Sequence, residues 1–374
     1  MSKTIYNHAA SLAFGIFFAA SAVHGGETPA KFLGANSCAS SSCHGGGGQN
    51  QNQFLVWSLK DFHSQRPTAT LTTARSKQIA DALQIKAPSA DSRCTTCHAP
   101  LHEVPENLRG ENFKVSEGVS CESCHGAAEN WLRAHTRKDY TRADRTAAGM
   151  RDLQNLYVRA NTCVACHQNV DADILKAGHP ELIFELDGQS VAEPKHWQEA
   201  TNWNGAQAWF IGQAVALREM SWQIAKEHSV AETNLLERIQ ALSWLLNKTA
   251  GNQVLPMTID NEFEKQQQLA NQMAQETSKE NWQPVDTHIG LKRLTSLASD
   301  FADEKISRPI QSRRAERLVL ALDRLVAALP ELKNNEPVQS SLNQLFKLAQ
   351  SIPDFDPKEF AAALEKFSTA LAAR

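Results

Sequence analysis

All eight cysteines of the 374-residue chain fall into four close pairs, and a histidine directly follows the second cysteine of each. The pairs are Cys38/Cys43, Cys94/Cys97, Cys121/Cys124 and Cys163/Cys166, followed by His44, His98, His125 and His167. With 13 histidines in the chain, four such coincidences have a chance on the order of one in a million, which sets the pattern apart from an ordinary cysteine framework. An even cysteine count in an exported chain otherwise reads as disulfides, and paired cysteines otherwise read as zinc sites. Neither requires a histidine at that position. C-x-x-C-H is the attachment signature of haem c: two thiols add across the porphyrin vinyl groups and the histidine ligates the iron. The chain is therefore expected to bind four covalent haem c groups.

Three sites have the strict spacing. The first, Cys38-Ala-Ser-Ser-Ser-Cys43-His44, places four residues between the thiols, so its extra residues must bulge from the porphyrin edge. Stretched sites of this kind resemble those of small low-potential tetrahaem cytochromes. Four macrocycles must form much of the interior around them, and little regular sheet is expected.

Export fits this chemistry. Lys3 and the apolar run Ala9 to Ala22, closing on Ala20 and Ala22, read as a cleavable signal over residues 1–25. The run is short for a membrane span, so no span is expected after cleavage and the location is expected to be periplasmic. A net charge of -3 and the absence of a recurring basic tract give no support for a nucleic-acid partner.

After about residue 200 the cysteines stop and helical stripes begin. Leu235, Ile239, Leu242 and Leu246 recur at helical spacing, as do Leu318, Leu322, Leu325 and Leu329 up to Pro330. Asp356-Pro357-Lys358-Glu359 has the residues of a helix start. The fold class is mainly α: a haem-packed domain over 26–200, then an antiparallel helical bundle over 201–374. Earlier in the chain, Gln51 to Ser64 reads as one short helix ending near His63. Glu129 to His135 reads as a helix with Trp131 and His135 on one face, and Gly178-His179-Pro180 as a turn.

The ligand opposite each proximal histidine separates electron transfer from substrate chemistry. His63, His135 and His179 are the best distal candidates, each following an attachment site beside aromatic or turn residues. His102 lies too close to His98 to cross its own haem easily, although it can reach another. Met150 is the one methionine near the sites. His196, His228 and His288 read as ordinary histidines. Three distal candidates for four irons leave one iron open to five-coordination.

The stretches Cys38 to Gly45, Trp57 to His63, Glu117 to His135, Cys163 to His167 and Gly178-His179-Pro180 resemble the tetrahaem cytochrome c-554 family. These are periplasmic acceptors of electrons from hydroxylamine oxidoreductase, within the wider group that includes that enzyme and pentahaem nitrite reductase. The resemblance covers roughly residues 30–190 and implies closely stacked haems acting as a relay. It also implies three bis-histidine irons and one five-coordinate iron, the second along the chain, which here is the His98 haem. The expected function is electron relay between redox partner proteins. The alternative is an oxidoreductase acting on nitric oxide, nitrite, hydroxylamine or a sulfur species at an open haem. No C-x-x-C-K marks a nitrite-reductase haem in this chain.

Overall fold

Capping residues and prolines divide the first half of the chain into short helices. The computed structural model describes residues 29–48, 51–227, 233–252, 254–256, 262–351 and 354–373. The expected signal over 1–25 and His228 lie outside them. The first half carries α1 (Gln53–Lys60), α2 (Phe62–Thr70), α3 (Ala74–Ala82), α4 (Ser92–His98), α5 (Cys121–His125), α6 (Arg142–Ala147), α7 (Leu156–His167), α8 (Ala172–Lys176) and α9 (Leu186–Ala192). Among the described residues the one β pairing is the isolated bridge between Phe32 and Arg109. The protein is mainly α.

The helix expected over Gln51 to Ser64 breaks at Asp61, whose extended backbone ends α1. Its carboxylate accepts from the His63 N–H at 2.8 Å and so starts α2, as an N-cap does. Pro67 inside α2 has no N–H to donate to the His63 carbonyl. That carbonyl accepts instead from Val119 N–H at 2.9 Å, tying α2 to the approach to α5. Gly118 makes the contact possible: its φ is +71° and a Cβ would lie 2.2 Å from the Ser64 carbonyl oxygen. Only glycine fits there. Glu129 to His135 forms a turn and a short 3-10 segment, Ala134–Thr136, in place of a full helix. The i, i+4 relation nevertheless holds, with His135 N–H bonded to the Trp131 carbonyl at 2.9 Å.

The second half is a bundle: α10 (Gly205–Glu227), α11 (Thr233–Ala250), α12 (Phe263–Thr277), α13 (Pro284–Thr295), α14 (Ala298–Phe301), α15 (Arg308–Ala327), α16 (Pro330–Lys333), α17 (Glu336–Ala349) and α18 (Pro357–Ala372). Both leucine stripes are buried, and each such side chain contributes roughly 1.5–3 kcal/mol of transfer free energy. Asp356 caps α18 by accepting from Lys358 N–H at 2.8 Å and Glu359 N–H at 3.3 Å. Pro330 ends the α15 stripe and also occupies the first turn of α16, where its missing N–H is harmless.

The bundle core does not stop at residue 200. Ala160 and Val164 of α7, with Phe184 and Leu186, belong to the same buried cluster. At Gly212 of α10 an added Cβ would lie 2.9 Å from the Leu186 Cβ, so α9 and α10 pack without intervening side chain. Polar bonds continue the seam. Asn169 donates to the Glu219 carbonyl at 2.8 Å, Gln213 to the Phe184 carbonyl at 2.8 Å, and Arg238 to the Leu182 carbonyl at 2.8 Å. The segment leaving α7 is thus held against α10 and α11. No helix among the described residues is long and apolar enough to cross a membrane.

Candidate haem-binding centre

A helix places residues i and i+3 on one face, which is what two thiols separated by two residues need. The strict sites use this: Cys94, Cys97 and His98 close α4, α5 is itself Cys121–His125, and Cys163, Cys166 and His167 close α7. At the first site the chain folds back. His44 N–H bonds to the Cys38 carbonyl at 3.2 Å and Cys43 N–H to Ser40 at 2.9 Å. Ser40, Ser41 and Ser42 lie exposed on the resulting bulge. None of the eight cysteines is in a disulfide.

The four sites come together in pairs. The Cys38 thiol lies beside Cys121, and that of Cys97 beside Cys166. The second pair lies next to the first, since Cys124 is near enough to act on the titration of both Cys163 and Cys166. The sites therefore run in the order first, third, fourth, second. Burial pushes the Cys124 thiol up to about 11 and Cys163 up to about 12.

Carboxylates fix the first contact. Glu122, buried between the two thiols of the third site, accepts from Leu33 N–H at 2.9 Å, Gly34 N–H at 2.7 Å and Ala128 N–H at 2.7 Å. Glu117 accepts from Ala35 N–H at 3.0 Å. Together they clamp the segment leading to Cys38 onto α5. Burial raises both carboxyls, and the backbone donors oppose it. The motif alone gave these two acids no role; the cue available was two acidic residues within an otherwise small and apolar run.

The histidines also pair. His44 and His135 have ring centroids 6.0 Å apart at 19°, and His63 and His167 lie 6.0 Å apart at 86°. Two imidazoles holding one metal need about 2 Å of metal–nitrogen bond and about 1 Å of ring on each side, so both gaps admit one iron. His179 lies near enough to His98 to act on its charge, and His196, His44 and His135 near enough to act on that of His125. His196, ordinary by its sequence context, thus stands beside a proximal histidine. His102 bonds Glu103 at 2.9 Å, and no proximal histidine contacts its ring among the contacts described. His288 has both ring nitrogens engaged, by the Pro284 carbonyl at 2.9 Å and Glu331 at 3.0 Å.

Most of the clustered imidazoles are oriented through Nδ1. His44 bonds Gln53 Oε1 at 2.9 Å, His98 the Pro67 carbonyl at 2.9 Å, His135 the Trp131 carbonyl at 3.2 Å and His179 the Pro180 carbonyl at 2.8 Å. An oxygen there requires the proton on Nδ1 and leaves the Nε2 lone pair for a metal. His167 Nδ1 meets Gln189 Nε2 at 3.0 Å while Gln189 Oε1 is buried without a partner. Exchanging the amide O and N places an acceptor at Nδ1, as at the other four rings.

His63 differs in having two carboxylates at Nδ1, Asp61 at 3.2 Å and Glu193 at 2.6 Å. The Asp61 carboxylate, then Glu193, push it up to about 10. These three groups alone could gather around a cation, but beside His167 they read as a ligand imidazole with its orienting acids. His125 and His167 are depressed to about 4, each by burial first and then by the charge of neighbouring histidines, His196 foremost for His125 and His63 for His167. They are neutral donors, as iron ligation requires.

Paired thiols with adjacent neutral imidazoles, brought together with further imidazoles at metal-spanning distance, are the donor set of a c-type cytochrome. Residues 37–126 match the family model described as cytochrome c554 and c-prime. The match takes in the first three attachment sites and stops before the fourth and the bundle. It supports the kinship with the tetrahaem cytochrome c-554 family that the motifs suggest, and with it covalently bound haem c. No curated protein and no solved structure matches the chain.

Proposed function

We propose that this chain is an exported, periplasmic cytochrome with four haem c groups that relays electrons between two redox partner proteins. The observation that carries the reading is the closeness of the attachment sites, with Cys38 beside Cys121 and Cys97 beside Cys166. Sites whose thiols lie side by side would hold their cofactors close together. When bound, haem c supplies the reversible one-electron chemistry of its iron. The chain supplies the rest. Its thiols anchor four groups in the order first, third, fourth, second; His44, His98, His125 and His167 ligate, and Glu117 and Glu122 keep the first site against the third. The order gives the relay two ends, at the first and the second sites, where donor and acceptor would dock.

The test is reductive titration of the exported protein with a one-electron donor while absorbance is recorded. Four electron equivalents per chain, shared between the groups faster than mixing, support the relay. Groups that reduce independently, with no exchange between them, refute it.

A further inference from the structure

We propose that the lobe of chain between His135 and Arg151 is the docking surface for an electron-transfer protein with an acidic face, at the end of the relay formed by the first attachment site. This rests on the relay reading and deepens it, by saying what kind of partner meets one of the two ends. The lobe lies beyond residues 37–126, the stretch that matches the family model.

Charge marks the lobe out. Residues 133–152 hold six cations, Arg133, Arg137, Lys138, Arg142, Arg145 and Arg151, and three acids, Asp139, Asp144 and Asp152. That is a local excess of three positive charges in a chain whose net charge is -3. The acids are already engaged. Asp139 takes Arg137 at 3.0 Å, Asp152 takes Arg142 at 2.7 Å, and Asp144 accepts from the Thr141 N–H at 2.8 Å in the cap of α6. Among the described residues no carboxylate forms an ion pair with Arg133, Lys138, Arg145 or Arg151. Arg133, Arg137, Lys138 and Arg142 are exposed. Beside them lies a shallow groove of about 590 Å³ lined by Arg142, Ala143, Thr146, Ala147 and Asp152. Small apolar side chains with a charged rim suit a protein interface.

Both ends of the lobe are fixed on attachment sites. At its start the His135 ring stacks on His44, with centroids 6.0 Å apart at 19°. At its end Arg151 donates from Nη1 to the Ser123 carbonyl at 2.6 Å and from its backbone N–H to the His125 carbonyl at 2.9 Å. Gly126, with φ +86°, admits this return: a Cβ there would lie 2.7 Å from the Gly149 carbonyl oxygen. A partner seated on the lobe therefore stands over the first and third sites. Carboxylates on its face would be drawn by the excess charge, which speeds encounter and sets orientation. The contact needed is of the small, transient class that electron transfer uses, below about 1,200 Å². An anionic membrane fits less well, because Tyr140 and Met150, the large apolar side chains of residues 136–151, are half-buried and leave little to enter a bilayer.

The test uses the haem-loaded protein, with a flavodoxin in its hydroquinone form as an acidic one-electron donor and stopped flow at the haem absorbance. Arg137→Glu combined with Lys138→Glu is expected to slow second-order reduction about tenfold at about 0.01 M salt, where charges act over about 30 Å. At about 1 M salt, where they act over about 3 Å, the difference is expected to vanish. Photogenerated lumiflavin semiquinone, which is uncharged, is expected to reduce variant and wild type at the same rate. Lys77→Glu combined with Lys86→Glu, at exposed positions on the chain leading to α4 and the second site, is expected to change the flavodoxin rate by less than about twofold. No effect of the lobe variant, an equal slowing with the uncharged donor, or an equal effect of the two double variants each overturns the inference. Binding of the wild type to phosphatidylglycerol vesicles that the lobe variant loses, with the flavodoxin rate unchanged, overturns it in favour of a membrane. Reduction of one iron by the uncharged donor with no sharing among the others overturns the relay reading, and this inference with it.

Discussion

Replacing Glu122 tests whether one buried carboxylate holds the first attachment site against the third. Its Oε1 accepts from Leu33 and Ala128, and its Oε2 from Gly34. In Glu122→Ala all three N–H groups lose their acceptor, at roughly 1–3 kcal/mol each for a donor that stays buried. Allowing for water reaching Leu33, the loss is about 2–6 kcal/mol, a large part of the roughly 5–15 kcal/mol of a typical fold. Glu122→Gln keeps the oxygen that serves two donors but turns an amide NH2 toward Gly34 N–H. Its cost is about 1–3 kcal/mol. Guanidinium unfolding followed at the haem absorbance measures the order wild type, Gln, Ala. Hydrogen exchange locates it: the amides of Leu33, Gly34 and Ala128 should lose protection while α10 keeps it. Unchanged protection at those three amides, with a midpoint shift worth less than about 0.5 kcal/mol in Glu122→Ala, refutes the clamp.

Further expectations concern the ligand shell, the seam and pH. Asp61→Asn removes a carboxylate from the Nδ1 of His63, making that imidazole a weaker donor. Spectroelectrochemistry should then show one iron midpoint rising by on the order of tens of millivolts, on a scale of 59 mV per tenfold; a fall or no change contradicts the pairing of His63 with His167. Gly212→Val forces a side chain into the α9 contact and should cost about 1–3 kcal/mol or more in denaturant unfolding, whereas a neutral result means the two helices are not packed as described. Asp187 is pushed from 3.8 up to about 7, by burial first and then by Glu185. Folding therefore favours its acid form, and the stability linked to it falls as pH rises from about 4 to 7. Asp187→Asn should match wild type near the bottom of that window and gain up to roughly 4 kcal/mol at its top, and a constant difference between pH 4 and pH 8 contradicts this.

What could be read from the chain follows from how local each feature is. The cysteine pairs with their adjacent histidines carry their chemistry within five or seven residues, and the leucine stripes carry their helix period, so both are visible in the linear sequence. The break at Asp61 was missed because apolar periodicity continued across it while a local cap decided the backbone. Glu129 to His135 kept its i, i+4 contact without a full helix, because a turn and a 3-10 segment place the same two rings together. The partner of each proximal histidine depends on chain folded from elsewhere. Nothing in Lys195-His196-Trp197 announces that Arg159 and His63 will pin its flanks. The boundary expected at residue 200 concealed a shared core, since the period of α7 says nothing about which neighbour takes Ala160 and Val164.

The central claim is that every cysteine in the chain serves a covalently attached haem. Intact mass spectrometry of the haem-loaded protein tests it most directly, combined with peptide mapping under non-reducing conditions. The account predicts four haem additions on the mature chain and a haem-bearing peptide at each pair, including one spanning Cys38 to His44. Three additions, with Cys38 and Cys43 recovered free or oxidised to each other, would contradict it.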